Sequence, residues 1–474
     1  MITFFISFVA LVLGYLLYGK FVSKVFVPDD RKTPAVVIND GIDYVPMPNW
    51  KIFMIQFLNI AGTGPIFGAI MGAKFGPAAY LWIILGCIFA GATHDFFSGM
   101  LSMRNNGADL PALIGKYLGK TPRNVMLVFC VVLLIMVGTV FVYSPAEILG
   151  HISGGSLLWI IVIFAYYVVA TMLPIDKIIG KVYPFMGGAL LFMALGVGAY
   201  LIYGDATGAV EMKELTADSL RNFHSNPDAN ILFPMLFVVI SCGAISGFHA
   251  TQSPLMARCM ANEKYARPVF YGAMVSEGVV ALIWATAAIA YFGGPEGLNA
   301  AADAGKTPAV MVNEICNSWL GRVGAVLAIL GVVACPITSG DTAFRSMRLI
   351  VAQAFRFSQK KLVSRLMVSV PIFVVAYVCC FMDFSTIWKY VGISNQILAT
   401  VTLWTAAAFL ARSGKVHWIM TVPAMFLTDV CVCYLCVAPY KVGGLAMPQV
   451  VGNVAGIVAA FALLALFLYK MRRR

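Results

Sequence analysis

The feature that most constrains this chain is the recurrence of long apolar stretches: thirteen of them punctuate its 474 residues. At about 20 residues each, the length a helix needs to cross a bilayer, they occupy roughly 260 positions. Hydrophobic residues make up 61% of the sequence against 11% charged, with mean hydropathy +0.87. That leaves too little polar surface for a water-soluble globule and too much apolar mass for a disordered chain. Lipid offers the backbone no hydrogen-bond partner, so stretches of this length must be helices and not barrel strands. The expected fold is an all-α polytopic membrane protein of about 13 transmembrane helices, with no room for an appended soluble domain.

The spans are read at 2–19, 52–73, 78–103, 125–148, 157–175, 183–203, 231–254, 269–292, 323–340, 366–383, 387–410, 418–438 and 450–469. The first lacks a basic leader and a small-residue cleavage site, so it reads as a retained span. When the connections are assigned alternately to two faces, 26 Lys and Arg fall on one and 7 on the other. The positive-inside rule places the cation-rich face in the cytoplasm of a cell membrane, the N-terminus outside and the Lys-Met-Arg-Arg-Arg tail inside. Topology thus accounts for the net charge of +12, and no nucleic acid is expected as a partner. The eleven cysteines lie mostly in apolar runs, where a thiol packs as a small hydrophobe, so neither a disulfide framework nor a metal centre is expected.

Two spans carry stronger interruptions than membrane helices ordinarily tolerate. In span two, Ala61, Gly62, Thr63, Gly64 and Pro65 stack two glycines ahead of a residue with no backbone donor. In span seven, Ser241, Cys242, Gly243, Ser246, Gly247 and His249 bring small residues, hydroxyls and a histidine to mid-membrane depth. Taken singly, either segment is equally well a tight helix-packing face. Their spacing argues otherwise, because helices five apart cross the membrane in opposite directions, as an inverted repeat of five requires. The chain then divides into a leading helix and loop (1–51), a first repeat (52–230), a second repeat (231–411) and two trailing helices (412–474). This is a LeuT-type 5+5 inverted-repeat core, in which the first helix of each repeat unwinds to hold substrate and coupling ion.

Ionisable groups at membrane depth are costly and few. His94 and Asp95 in span three and Glu277 in span eight fall on the second helices of the two repeats, where they read either as acceptors of a coupling proton or as a static bonding network. His249 reads as a contact to an anionic substrate group or as a cap on unwound backbone. Thr338, Ser339 and Asp341 follow Cys335-Pro336 in span nine. Their side chains either face the first break or satisfy nearby carbonyls, with Asp341 paired to Arg345 one turn on. Asn395 and Gln396 are expected to brace helix contacts. Gly305-Lys306-Thr307 lacks the glycine a phosphate loop needs at position 300, and no zinc-protease or nucleophile-elbow motif occurs. Neither an enzyme nor a cofactor is expected.

Six blocks, in order, carry a family resemblance: residues 40–46 (Asp-Gly-Ile-Asp-Tyr-Val-Pro), 60–65, 91–96 (Gly-Ala-Thr-His-Asp-Phe), 241–249, 338–348 and 388–399. On these the chain resembles the carbon starvation protein A (CstA) family, grouped with the amino acid-polyamine-organocation superfamily. It departs from the longer members after His249, where it reads Ala-Thr-Gln-Ser-Pro. The resemblance implies uptake of peptides, or of pyruvate in related members, driven by an ion gradient, protons foremost, during nutrient limitation. It also makes Thr338 and Ser339 candidates for an ion site. The expected function is therefore a cation-coupled importer of a small carboxylate-bearing nutrient, peptides foremost. A pyruvate/proton symporter, a passive channel and a membrane nutrient sensor are the alternatives.

Overall fold

The computed structural model describes every residue except 154, 176–178, 360, 383 and 473–474. Lys177 and the last two arginines of the tail, counted toward topology, and Asp383, the expected end of span ten, therefore lie outside the described residues. The described chain is helical throughout, apart from its connections and one isolated bridge between Met47 and Met260. Among the described residues, nine helices are long and apolar enough to cross a membrane, and a tenth span is the bent pair Asn49–Ile60 and Gly64–Ala73. The remaining expected spans appear as the shorter helix Ser156–Met172, the split pair Leu232–Val239 and His249–Ala257, and the helix that continues through Cys335–Phe355.

The expected end of span nine at Gly340 was misplaced. A helix starting after Gly321, whose φ of 59° breaks it from the preceding segment, runs on to Phe355. Hydropathy misses the extension because it carries Asp341, Arg345 and Arg348. All three are buried on protein partners, so the helix goes on where the lipid-facing signal stops. Span four is likewise longer than expected, covering Lys120–Ser153 with Pro145 inside it.

Both suspected breaks are real. At the first, the helix turns by 50° between Ile60 and Gly64. At the second, no helix joins Val239 to His249. The two breaks also touch. A Cβ on Gly64 would lie 2.4 Å from the sulfur of Cys242, and one on Gly72 would lie 2.2 Å from the Ile240 side chain. Small residues here serve close backbone approach between two antiparallel elements.

On the cation-rich face, the connection after the first helix folds inward. The Asp40 carboxylate accepts the backbone N–H groups of Ile42, Asp43 and Tyr44 at 2.9, 3.0 and 2.9 Å, around Gly41 at φ 69°. This turn chemistry delivers Asp43 between Arg345 Nη1 at 3.4 Å and Arg348 Nη2 at 3.2 Å. Met47 then donates its N–H to the Cys259 carbonyl at 3.1 Å, tying the same arm to the segment after the second break.

Candidate functional site

A cavity of about 250 Å³ starts at the breaks, where Thr63, Gly64, Ser241 and Cys242 line it, and runs toward the cation-poor face. There its walls include His224 and Asn230 from the 204–230 connection, Pro439 and Val442 from the 438–449 connection, and Lys74 and Lys389 at helix ends. Phe141, Phe248 and Trp388 add apolar surface, and Asn395 a polar group. Among the described residues, no carboxylate lines it. The Thr63 hydroxyl, in that lining, is buried without a hydrogen-bond partner in the protein, so it is a group a bound ligand can satisfy.

The other suspected substrate residues lie outside the lining. Ala61 and Pro65 are buried in the helix ends, and Gly62 packs against Ser339, whose hydroxyl a Cβ would approach to 2.8 Å. Gly247 abuts Asn395. Its N–H donates to the Asn395 carbonyl at 3.0 Å, and the next N–H, of Phe248, donates to the side-chain oxygen at 3.1 Å. Asn395 thus holds the unwound strand from span eleven, while Gln396 donates to the Phe237 carbonyl at 2.6 Å. Ser246 is buried with an unpartnered hydroxyl.

His249 sits apart from the cavity, in a chain of buried polar groups. His94 Nδ1 is 2.8 Å from Asp95 Oδ1, Asp95 Oδ2 is 3.0 Å from His249 Nδ1, and His249 Nε2 is 3.5 Å from Glu277 Oε2. The far oxygen of Glu277 accepts the Gly243 N–H at 3.0 Å. The chain thus runs from span three, through the second break, to span eight, and all four side chains are essentially inaccessible. The sequence placed Asp95, His94 and Glu277 near one another, but it did not make His249 the group between them.

In span nine, the Ser339 hydroxyl donates to the Leu58 carbonyl at 3.2 Å, on the last turn before the first break. Thr338 donates to the Cys335 carbonyl of its own helix at 2.8 Å. The expected Asp341–Arg345 pair does not form. Asp341 accepts the Tyr183 hydroxyl at 2.7 Å, and Arg345 turns to Asp43 and to the Ala170 carbonyl at 2.9 Å. Arg345 is committed to Asp43 and the Ala170 carbonyl, which leaves Asp341 to the Tyr183 phenol. Sequence reading also missed Lys74, Lys389 and Asn395 as cavity residues, because it counted the lysines only toward topology.

Two touching breaks, with a cavity that starts at them and leads to one face, fit a LeuT-type fold. Among solved structures, the fold matches MhsT in complex with L-phenylalanine (TM-score 0.57, 12% identity, 88% of this chain and 98% of that one). It also matches a substrate-bound, outward-open Na+-coupled sialic acid symporter (TM-score 0.54, 12% identity, 97% of each chain). Residues 1–157, 146–327 and 309–433 match the family described as carbon starvation protein CstA, and the chain belongs to that family. An uncharacterized membrane protein of Haemophilus influenzae is 45% identical over 64% of this chain and 95% of its own length. The peptide transporter CstA of Campylobacter jejuni is 26% identical, covering 88% of this chain and 77% of its own. The pyruvate/proton symporter BtsT of Escherichia coli is 29% identical over 58% of this chain but only 47% of its own.

Proposed function

We propose that the protein is a cation-coupled importer of a small carboxylate-bearing nutrient, held between the two breaks and released by alternating access. The observation that carries this reading is the asymmetry of the site. The cavity leads from the breaks to the cation-poor face, while Asp43, Arg345, Arg348 and the Met47–Cys259 contact seal the opposite side. One open vestibule over one closed gate suits a transporter between turnovers, whereas a passive channel needs a continuous pore. By the positive-inside rule the vestibule faces outward and the closed gate faces the cytoplasm.

The lining supports an anion as cargo. Lys74 and Lys389 line the cavity, whose described lining residues include no carboxylate, and the amino end of the Gly64–Ala73 helix opens at its floor. Of the two substrate types named for relatives, this lining favours the pyruvate type, because the fixed charges among its described residues are the two lysines. Two buried carboxylates, Asp95 and Glu277, require a positive charge among them. We assign the coupling cation to this chain, a proton being the ion in the Escherichia coli symporter's name.

Proteoliposomes loaded to impose an inward proton or sodium gradient test the whole reading, with labelled pyruvate run beside di- and tripeptides. Accumulation against the substrate gradient supports an importer and identifies the ion. Downhill flux alone would replace the reading with a channel, and binding without flux with a sensor.

A further inference from the structure

His249 and Glu277 present two atoms whose bonding is incomplete. His249 Nε2 and Glu277 Oε2 face each other across 3.5 Å, and neither makes a hydrogen bond, although both side chains are fully buried. Asp95 stands 3.0 Å from the other ring nitrogen. A carboxylate there draws the ring proton to Nδ1 and turns the Nε2 lone pair toward Glu277. A lone pair against a carboxylate oxygen, away from water, calls for a cation between them.

A third donor converges on the same point. The Cys242 sulfur, His249 nitrogen and Glu277 oxygen all lie within 4.8 Å of one another. Zinc-type bonds of about 2.0–2.3 Å set tetrahedral ligand atoms roughly 3.4–3.8 Å apart. The nitrogen and oxygen already stand at that separation, and a modest turn about the Cys242 side chain brings in the sulfur. Both fixed ligands are oriented from behind, His249 by Asp95 and Glu277 by the Gly243 N–H at 3.0 Å, the kind of outer support metal ligands carry. Cys242 also lines the cavity, which gives an ion a route from the cavity to the two buried ligands.

We propose that Cys242, His249 and Glu277 bind one transition-metal ion of the zinc type behind the part of the cavity wall that Cys242 forms. A thiolate, an imidazole and a carboxylate form a borderline-soft set that selects zinc-like ions over sodium, magnesium or calcium. Binding expels the thiol proton to water and ties the second break to span eight, so the ion holds the protein in one state and blocks turnover. The proposal goes beyond the transport reading and stands or falls without it.

The test is optical titration of the purified full-length protein with Co²⁺. The expected result is intense tetrahedral d–d bands with a near-ultraviolet thiolate charge-transfer band, saturating at one equivalent and bleached by Zn²⁺. Cys242→Ser should remove the charge-transfer band, while Cys433→Ser, a thiol on a trailing helix, leaves the spectrum unchanged. Absence of the thiolate band, or its survival in Cys242→Ser, overturns the proposal. Should Cys242→Ser fail to fold, alkylation of Cys242 in the unsubstituted protein gives the answer by mass spectrometry: Zn²⁺ must slow it severalfold, and an unchanged rate overturns the site. Neither readout involves uptake, so a failed metal site and a failed transport reading remain distinguishable.

Discussion

Gly64 and Cys242, on helices that cross the membrane in opposite directions, lie so close that a Cβ on the glycine would fall 2.4 Å from the cysteine sulfur and 2.5 Å from its Cβ. Contact at that range ties the two breaks into one pocket. Gly64→Ala must push them apart, at an overpacking cost of about 1–3 kcal/mol, and uptake is expected to fall to background while membrane insertion persists. Pairing it with Cys242→Gly removes both clashing atoms and should restore transport. A double variant as inactive as the single one would show that the contact is not what limits Gly64.

Asp95→Asn keeps the side-chain shape but removes one of two buried negative charges. Accumulation driven by an imposed ion gradient should be lost, with the protein still inserted and still able to bind substrate. Unchanged uphill uptake would remove Asp95 from the coupling mechanism.

Lys74→Gln and Lys389→Gln should each raise the half-saturation concentration for a carboxylate about fivefold, the ~1 kcal/mol expected of a solvent-reached charge contact. Maximal velocity should be little changed, and added salt should narrow the difference between variant and parent. If saturation by the anion does not move in either variant, the lysines lie off the substrate's path.

Asp43 is the sole acid between Arg345 and Arg348 among the described ion pairs. Burial pushes its carboxyl up, but the guanidinium groups of Arg348, Arg345 and Arg258 outweigh burial and hold it below the ordinary carboxylate range. A depressed folded-state pKa means that this stabilisation is complete above the ordinary carboxylate range and is lost as pH falls through the lowered value. Asp43→Asn leaves buried arginines uncompensated, at a cost of about 3–5 kcal/mol. Its thermal unfolding temperature should drop at neutral pH and depend less on acid than the parent's. Melting curves that coincide at neutral pH would contradict the gate.

Several of these relationships were legible in the residues alone. Gly62 to Pro65 and Ser241 to Gly247 announce their breaks because a missing donor after two glycines in the one, and small residues with hydroxyls in the other, weaken a helix locally. Their separation by five spans follows from counting, so a pocket between antiparallel breaks could be expected. Asp95 and Glu277 stood out because a charge in an apolar run has few innocent explanations. The partner choices were not legible. Asp341 bonds Tyr183 in place of Arg345, Arg345 reaches Asp43 some 302 positions away in sequence, and His249 bridges two acids and does not line the cavity. Each choice depends on which neighbour another helix brings within about 3 Å, and local periodicity carries no record of that distance.

Sequence by itself thus determined the class of molecule and the places where its helices fail, because transfer into lipid and backbone hydrogen bonding act on each segment separately. Tertiary structure alone decided toward which face the cavity leads, which lysines line it and how Cys242, His249 and Glu277 converge. Those outcomes depend on how the helices pack together, and packing is a property of all of them at once.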